Sequence, residues 1–277
     1  MIPRKVRHVM VAGDWHGDGS WAQRVIWRAK KQMPGEEIPV VLQLGDFGVW
    51  PGRDGFTYLR YMQRALEDAG ALLMFVDGNH EDHPQIAEWH GDFPHFPAHP
   101  PGKDRIWHLP RGYRWQWGGR TWLAAGGAAS VDRREVVGRA YGVPWIRGGR
   151  IEGKSWWPEE QLTADQAEAI IAGGKADVMV CHDFPAGVTH SRDPGFTERF
   201  HPLDIAEAEE HSRRMQSIVD AVQPSHYIHG HLHRCYARTC DFGYGPVEVT
   251  GLHMNGETGN YAVLDVEDMT WGEIEPV

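Results

Sequence analysis

The sequence predicts an α/β fold with a largely parallel sheet and a second, mainly antiparallel sheet. Along residues 7–76, short apolar runs alternate with segments of helical periodicity, which is the pattern of parallel strands connected by helices. Five apolar runs of the chain end abruptly in Asp, Asn or His, and ligands of such folds collect at the carboxyl ends of the strands. The tail alternates short strands with turns, which is typical of antiparallel pairing.

The first part of the chain predicts three strands and two helices. In the first helix, Trp21, Val25 and Ile26 recur at helical spacing and form one apolar face. Gly70 ends the second helix. The predicted strands cover residues 7–12, 39–44 and 72–76, and the predicted helices cover residues 20–32 and 56–69.

The middle of the chain predicts a hairpin between two irregular segments. Gly118 and Gly119 divide residues 113–125 into two strand-like halves. Residues 89–110 are rich in Pro and His and predict an irregular crossing. Residues 126–157 carry few regular signals but many Arg and Trp side chains, and loops of this length are uncommon in a compact domain unless they bind something. We interpret them as a loop insertion over the site of a single domain spanning residues 1–277.

Regular structure resumes after this segment. Thr163 and Gln166 form the pattern of a capping box at a helix start, and Gly173 and Gly174 end that helix. The predicted helices cover residues 158–172 and 203–222, and the predicted strands cover residues 177–181, 225–229, 235–240, 247–250, 262–266 and 270–274.

Composition argues against several classes of function. The formal net charge is −10 over 277 residues, which argues against capture of extended nucleic acid by a basic surface. No stretch approaches the about 20 apolar residues that a membrane span needs. The three cysteines lack the paired spacing of a zinc ribbon. We therefore expect a soluble, cytoplasmic protein with reduced thiols.

The polar residues at the predicted strand ends form a mixed set of oxygen and nitrogen ligands. A histidine that stands alone is usually structural, but His or Asp at five separate strand ends has no packing rationale. The set suits divalent ions such as Mn, Fe, Zn, Co or Ni. It is too large for one ion, whereas two ions that share a bridging carboxylate serve phosphoryl chemistry. Its members are Asp14, His16, Asp46, Asn79, His80, His182, His231 and His233.

In five motifs, the sequence resembles the calcineurin-like metallophosphoesterases, in particular their compact bacterial and phage members. The motifs are GDWHG at 13–17, GD at 45–46, GNHE at 78–81, the histidine at 182 and GHLH at 230–233. The resemblance implies a two-sheet β-sandwich flanked by helices, a four-layer α/β/β/α arrangement with the metal site at the strand carboxyl ends. It also implies two divalent ions, for which we expect Mn²⁺, with Fe, Zn, Co, Ni or Mg as alternatives.

The resemblance also assigns a role to each motif residue. Asp46 would bridge the two metals, and His80 would face the substrate as the catalytic residue, where it protonates the leaving oxygen or stabilises charge. The remaining ligands divide into two sets, with Asp14, His16 and His233 on the first metal and Asn79, His182 and His231 on the second.

One departure from the family bears on the substrate. The protein Ser/Thr phosphatases of this superfamily extend the second motif to GDxVDRG, which supplies an Asp and a phosphate-binding Arg, whereas Val49 and Trp50 stand at those two positions here. We therefore expect a phosphodiesterase or phosphatase that acts on nucleotides or other small phosphoesters, with Arg133, Arg134 or Arg139 as substrate-binding residues. The alternatives are a protein Ser/Thr phosphatase and a non-catalytic, metal-binding scaffold of the same fold.

Overall fold

The computed structural model describes residues 3–140, 143–188 and 197–272. Two six-stranded sheets face each other in it. Between the sheets lies an apolar core to which both contribute, for example Val9 and Val11 from one sheet and Val178 and Val180 from the other. Each outer face is covered by helices. This arrangement confirms the predicted α/β fold with two sheets flanked by helices.

The first sheet is parallel at its centre and antiparallel at one edge. Its four parallel strands are buried on both faces for most of their length, which explains why the sequence shows continuous apolar runs there. In their order across the sheet, the strands are β14 (Thr270–Trp271), β13 (Tyr261–Asp265), β1 (His8–Ala12), β2 (Val40–Gln43), β3 (Leu72–Phe75) and β4 (Ile106–His108).

The second sheet has four parallel strands and an antiparallel strand at each edge. One of those edge pairs is the hairpin that Gly118 and Gly119 predict. In their order across the sheet, the strands are β11 (Tyr236–Asp241), β12 (Pro246–Gly251), β10 (His226–His229), β9 (Val178–Cys181), β6 (Arg120–Ala125) and β5 (Arg114–Trp117).

The helices form the two outer layers. The helices are α1 (Gly19–Gln32), α2 (Gly52–Ala69), α3 (His83–His90), α4 (Ala164–Ala172) and α5 (Pro202–Val222). Apolar residues of α1, α2 and α3 pack on the first sheet, and those of α4 and α5 pack on the second. The capping box of Thr163 and Gln166 is present; it starts α4 later than predicted, because a separate 3₁₀ turn, Pro158–Glu160, precedes it.

Three sequence predictions need correction. The tail does not form one sheet, because β11 and β12 join the second sheet whereas β13 and β14 join the first. The segment 126–157 is not irregular throughout, since it contains a hairpin of β7 (Val136–Ala140) and β8 (Val143–Arg147). The segment 89–110 contributes β4 to the first sheet. Residues 273–274 of the last predicted strand lie outside the described residues.

No helix in the described part of the chain is long and apolar enough to cross a membrane. Cys181, Cys235 and Cys240 are free thiols, as predicted.

Candidate metal centre

The loops that follow β1, β2, β3, β9 and β10 meet at one end of the two sheets. Backbone hydrogen bonds join neighbouring loops at the end of each sheet. The amides of Trp15 and His16 donate to the carbonyl oxygen of Asp46 at 3.0 and 2.7 Å, and the amide of Gly230 donates to the carbonyl oxygen of His182 at 3.2 Å. All eight residues predicted for the metal centre lie on these loops.

The backbone of this region adopts an unusual conformation. His16, Asp46, His231 and His233 have φ values of 45, 54, 61 and 51°, and they are four of the six non-glycine residues with positive φ among the described residues. A left-handed backbone is costly for residues with a Cβ, and it persists only where the surroundings hold it. The strain of the fold is thus concentrated where the predicted ligands lie.

One group of ligand atoms converges on a single point. Atoms of Asp14, His16, Asp46 and His233 all lie within 4.8 Å of one another. His233 Nε2 is 3.0 Å from Asp14 Oδ2, and His16 Nε2 is 3.4 Å from Asp46 Oδ2. Asp14 Oδ2 is buried, and no hydrogen bond of good geometry reaches it from the described residues. A buried carboxylate oxygen in this state fits a metal ligand.

The orientation of His16 also fits a metal site. Its Nδ1 donates to Asn255 Oδ1 at 3.0 Å, so the other ring nitrogen, Nε2, faces the carboxylates. A metal-binding histidine usually donates its second N–H to such a partner. Burial alone would lower the pKa of His16, but its hydrogen bond and charge interaction with Asp46 raise the pKa to about 9.

His182 and Asn79 form a second group beside the first. His182 Nδ1 donates to the carbonyl oxygen of Leu44 at 2.7 Å, and its Nε2 faces Asn79 Oδ1 at 3.1 Å and Asp46 Oδ1 at 3.5 Å. Burial would lower the pKa of His182, but the carboxylates of Asp46 and Asp14 raise it to about 10. A nitrogen aimed at two oxygens needs either a proton or a cation between them. The ring of His231 lies 4.9 Å from that of His182.

Asp46 lies between the two groups. Its Oδ2 faces His16, and its Oδ1 faces His182 and accepts the backbone N–H of His80 at 2.9 Å. Burial would raise the pKa of this carboxyl group, but the charges of His80 and His182 hold it well below its usual range. Asp46 is therefore an ionised carboxylate whose two oxygens point to different sets of ligands.

The Asn79 side chain is oriented by a buried relay that the sequence did not reveal. Asn79 Nδ2 donates to Ser130 Oγ at 2.9 Å, and Ser130 Oγ donates to Glu160 Oε2 at 2.6 Å. Glu160 also accepts the backbone N–H of Ser130 at 2.8 Å. Burial raises the pKa of Glu160 to about 7. The relay turns Asn79 Oδ1 toward His182 and the centre.

Glu81, the last residue of the GNHE motif, holds two loops together. Its Oε1 accepts the amide of Phe47 at 2.6 Å, and its Oε2 accepts the amide of Gly78 at 2.6 Å. Burial and the charge of Asp46 raise the pKa of Glu81 to about 8. The loops after β2 and β3, which carry Asp46 and Asn79, are thereby fixed to each other.

His80 lies at the mouth of the centre. Its Nε2 is 3.6 Å from Asp46 Oδ2 and accepts hydrogen bonds from Arg150 Nη2 at 3.1 Å and Asn79 Nδ2 at 3.2 Å. Because Arg and amide nitrogens only donate here, the proton of the neutral imidazole is on Nδ1. Burial lowers the pKa of His80 to about 4, so the ring is neutral at pH 7.

Two of the three predicted substrate-binding arginines, Arg133 and Arg134, contact the helical layer instead of the centre. Arg133 pairs with Glu207 at 3.0 Å and lies 3.7 Å from the centroid of the Trp156 ring. Arg134 pairs with Asp204 and Glu207. Both carboxylates belong to α5. The side chain of Arg139 lies outside the described part, and the role of all three arginines stays a prediction.

A cavity of about 410 Å³ opens beside the centre. Its lining includes residues of the centre, namely Asp46, Asn79, His80, His231 and His233. The other lining residues are apolar side chains, arginines and a few further polar residues: Val131, Val136, Trp145, Phe184, Phe200, Ile205, Ala208, Leu232, Arg147, Arg199, Arg234, Asp132, Asp183 and Ser212. The volume is that of a site for a small molecule.

Comparison with known proteins identifies the family. The sequence profile of the calcineurin-like phosphoesterases matches residues 7–235. The chain belongs to this family. It is therefore a phosphoester hydrolase with a metal-dependent chemistry, and the resemblance inferred from the five motifs is confirmed. The Asp and His cluster around Asp14 agrees with a metal site.

The fold also has a counterpart among solved structures. The crystal structure of TT1561 of Thermus thermophilus superposes with a TM-score of 0.54 over 98% of this chain and 100% of that chain, at 14% sequence identity. At this identity the likeness concerns the fold alone. A search of curated proteins found no match.

Proposed function

We propose that this phosphoesterase uses a dinuclear metal centre to hydrolyse nucleotides or other small phosphoesters. The observation that carries the proposal is the position of Asp46, whose two oxygens face two different sets of ligands. Asp14, His16 and His233 would hold one ion, Asn79, His182 and His231 the other, and Asp46 would bridge them. We expect Mn²⁺, with Fe, Zn, Co, Ni or Mg as alternatives. Bound ions would supply Lewis acidity at the phosphoryl group and lower the pKa of water.

His80 would act on the leaving group. Its Nε2 points toward Asp46 and is unprotonated at neutral pH in the free protein. An anionic phosphoryl group placed against Nε2 favours the imidazolium form, because an opposite charge raises the pKa of a histidine. Nε2 would take up a proton from solvent, and the ring would then donate that proton to the leaving oxygen. Burial and the relay through Asn79 keep the imidazole in place.

The surroundings favour a small substrate over a phosphoprotein. Val49 is buried, and the ring of Trp50 lies so close to Gly17 that a Cβ at position 17 would be 2.5 Å from it. The two positions that carry Asp and Arg in protein Ser/Thr phosphatases thus contribute to packing here. The apolar wall of the cavity suits the organic group of a small phosphoester, such as a nucleobase.

Two further parts of the proposal concern the chain as a whole. We propose a single domain in which residues 126–157 cover the substrate, and this is supported by the position of Val131, Val136 and Trp145 in the cavity wall. We also propose a cytoplasmic location, which is supported by the three free thiols.

The test compares a diester with a monoester. Metal-stripped protein is given Mn²⁺, and hydrolysis of bis-p-nitrophenyl phosphate and p-nitrophenyl phosphate is measured. Faster diester cleavage supports a phosphodiesterase, and faster monoester cleavage supports a phosphatase. Absence of Mn²⁺-dependent hydrolysis of either ester would overturn the proposal and favour the scaffold.

A second measurement tests His80. We expect His80→Ala to retain the bound Mn²⁺ of the wild type and to lose about 10²- to 10⁴-fold in kcat, the usual range for a general acid or base. The bound metal is counted by elemental analysis. Full activity of His80→Ala would contradict its assigned role.

A further inference from the structure

The segment 126–157 brings one arginine to the mouth of the metal centre. Arg150 Nη2 lies 3.1 Å from His80 Nε2. The Arg150 side chain is 22% exposed, whereas that of Arg147 is 60% exposed. Arg133 and Arg134 are paired with carboxylates of α5. Of the arginines in this segment whose side chains the structure describes, Arg150 is thus the one in contact with His80.

Asp132 fixes the orientation of this guanidinium group. Arg150 Nε donates to Asp132 Oδ1 at 2.7 Å, and Nη2 donates to Asp132 Oδ2 at 2.7 Å. This two-point contact defines the plane of the guanidinium group. Nη1 donates to the carbonyl oxygen of Ser155 at 3.3 Å, and the backbone N–H of Arg150 donates to the carbonyl oxygen of Arg133 at 2.8 Å. The group is therefore held before any substrate binds.

The remaining N–H of Nη2 points at His80 Nε2, beside the ligand atoms of the centre. His80 Nε2, its partner in the free protein, is itself 3.6 Å from Asp46 Oδ2. The guanidinium group of Arg150 thus lies within one hydrogen bond of His80, the residue proposed to act on the leaving group. A guanidinium group that is already oriented loses less entropy when it binds phosphate oxygens than one on a free side chain.

We propose that Arg150, held by Asp132, binds the non-bridging oxygens of the phosphoryl group of the substrate. This inference rests on the proposed phosphoester hydrolysis. Arg150 would be a substrate-binding residue, and Asp132 would be a positioning residue that acts through it. On binding, the N–H of Nη2 exchanges His80 Nε2 for a phosphate oxygen.

The experiment uses Mn²⁺-loaded protein and two independent readouts. The variants are Arg150→Ala, Arg150→Lys and Asp132→Asn. The control is Arg213→Ala, which removes an exposed arginine that pairs with Glu210 within α5. Hydrolysis of the better p-nitrophenyl ester gives kcat and KM. Calorimetry with inorganic phosphate measures anion binding without turnover, and elemental analysis counts the bound Mn²⁺.

We expect Arg150→Ala to lower kcat/KM by roughly 100-fold, as removal of one charge-stabilising donor does in other enzymes. Its phosphate affinity should fall, and its Mn²⁺ content should stay that of the wild type. Millimolar guanidinium should restore part of the activity of Arg150→Ala and should leave the activity of the control Arg213→Ala unchanged. Arg150→Lys should have a kcat/KM less than half that of the wild type, because an ammonium group cannot make the two-point contact with Asp132.

A double-mutant cycle tests the role of Asp132. Asp132→Asn should lower kcat/KM by itself but add little to Arg150→Ala, because the two residues act as a unit. Wild-type activity and phosphate affinity in Arg150→Ala would overturn the inference. A loss of activity accompanied by a loss of Mn²⁺ would also overturn it. If the wild type itself hydrolyses neither ester, the proposed function fails, and phosphate binding by Arg150→Ala still decides the inference.

Discussion

The two ligand sets of the metal centre are held in different ways. We call Asp14, His16 and His233 the outer set, and Asn79, His182 and His231 the inner set. In the outer set, the side chains of His16 and His233 are 27% and 39% exposed. In the inner set, Asn79 and His182 are buried, and His231 is half-buried. The two sets meet at Asp46.

Side-chain hydrogen bonds orient Asn79 and His182 of the inner set. In the outer set, the backbone conformation contributes more to the orientation of the two histidines. His182 is fixed by the carbonyl of Leu44, and Asn79 is fixed by Ser130 and Glu160. His16 and His233 lie at left-handed backbone positions, as His231 of the inner set also does, and His16 has in addition one side-chain amide partner, Asn255. Buried hydrogen bonds are costly to break. The inner set should therefore depend more strongly on its supporting residues than the outer set does.

The largest effect is expected where the two sets meet. Asp46→Asn removes the charge that both sets share, so we expect Mn²⁺ binding to weaken by more than about 100-fold in both, beyond the usual range for a supporting residue. Titration followed by Mn²⁺ electron paramagnetic resonance measures this. Retention of one ion at wild-type affinity would show that Asp46 serves a single set and does not bridge the two.

Removal of the metal should make stability depend on pH. The folded-state pKa values of His16 and His182, about 9 and about 10, lie above the ordinary value of 6.5. Their protonation therefore stabilises the fold fully below pH 6.5, and this contribution is lost as the pH rises through 9 and 10. We expect the melting temperature of metal-free protein to fall between pH 7 and 9, and bound Mn²⁺ to prevent the fall.

Thermal unfolding in chelator and in Mn²⁺ across this pH range measures the effect. Asp46→Asn is the matched control, because it removes the carboxylate that raises both pKa values. Its profile should be flatter than that of the wild type. A flat profile in metal-free wild type would mean that neither histidine carries a proton in place of the metal.

The predicted ligands can be recognised in the sequence, whereas the residues that support them cannot. The eight predicted residues lie together because each follows a strand directly, and an apolar run that ends in a polar residue is visible in the sequence itself. Ser130 and Glu160 carry no such signal. Glu160 lies in the 3₁₀ turn and is linked to Asn79 through Ser130, and only the tertiary fold brings these three residues together. Arg150 was one of several arginines in its segment, and only tertiary contacts single it out.

The same limit applies to the fold. Strands and helices up to residue 76 are predicted well, because parallel strands buried on both faces give uninterrupted apolar runs. The tail strands are also recognised as strands, but their alternation does not tell which sheet they join. β13 pairs with β1, more than 240 residues away in sequence, and such a pairing is decided by the assembled core.

A smaller effect should follow from breaking the relay behind the inner set. Ser130→Ala removes the acceptor of Asn79 Nδ2 and leaves Glu160 without its side-chain donor. We expect the affinity of the inner set for Mn²⁺ to fall by about 10- to 100-fold, with the outer set unchanged. Stepwise calorimetric titration separates the two binding events. Ser217→Ala, at an exposed position of α5, is the matched control, and equal weakening of both events would contradict the assignment of the relay to the inner set.

The smallest effect is expected at the support of the outer set. Asn255→Ala removes the acceptor of His16 Nδ1, but this partner is half-buried and water can replace it, so the loss per hydrogen bond is modest. The left-handed backbone still directs His16 toward Asp14 and Asp46. We expect only a few-fold weaker Mn²⁺ binding in the outer set, measured in the same titration. Equal weakening of Mn²⁺ binding by Asn255→Ala and Ser130→Ala would contradict this explanation. It would mean that a half-buried hydrogen-bond partner supports its ligand as strongly as a buried one does.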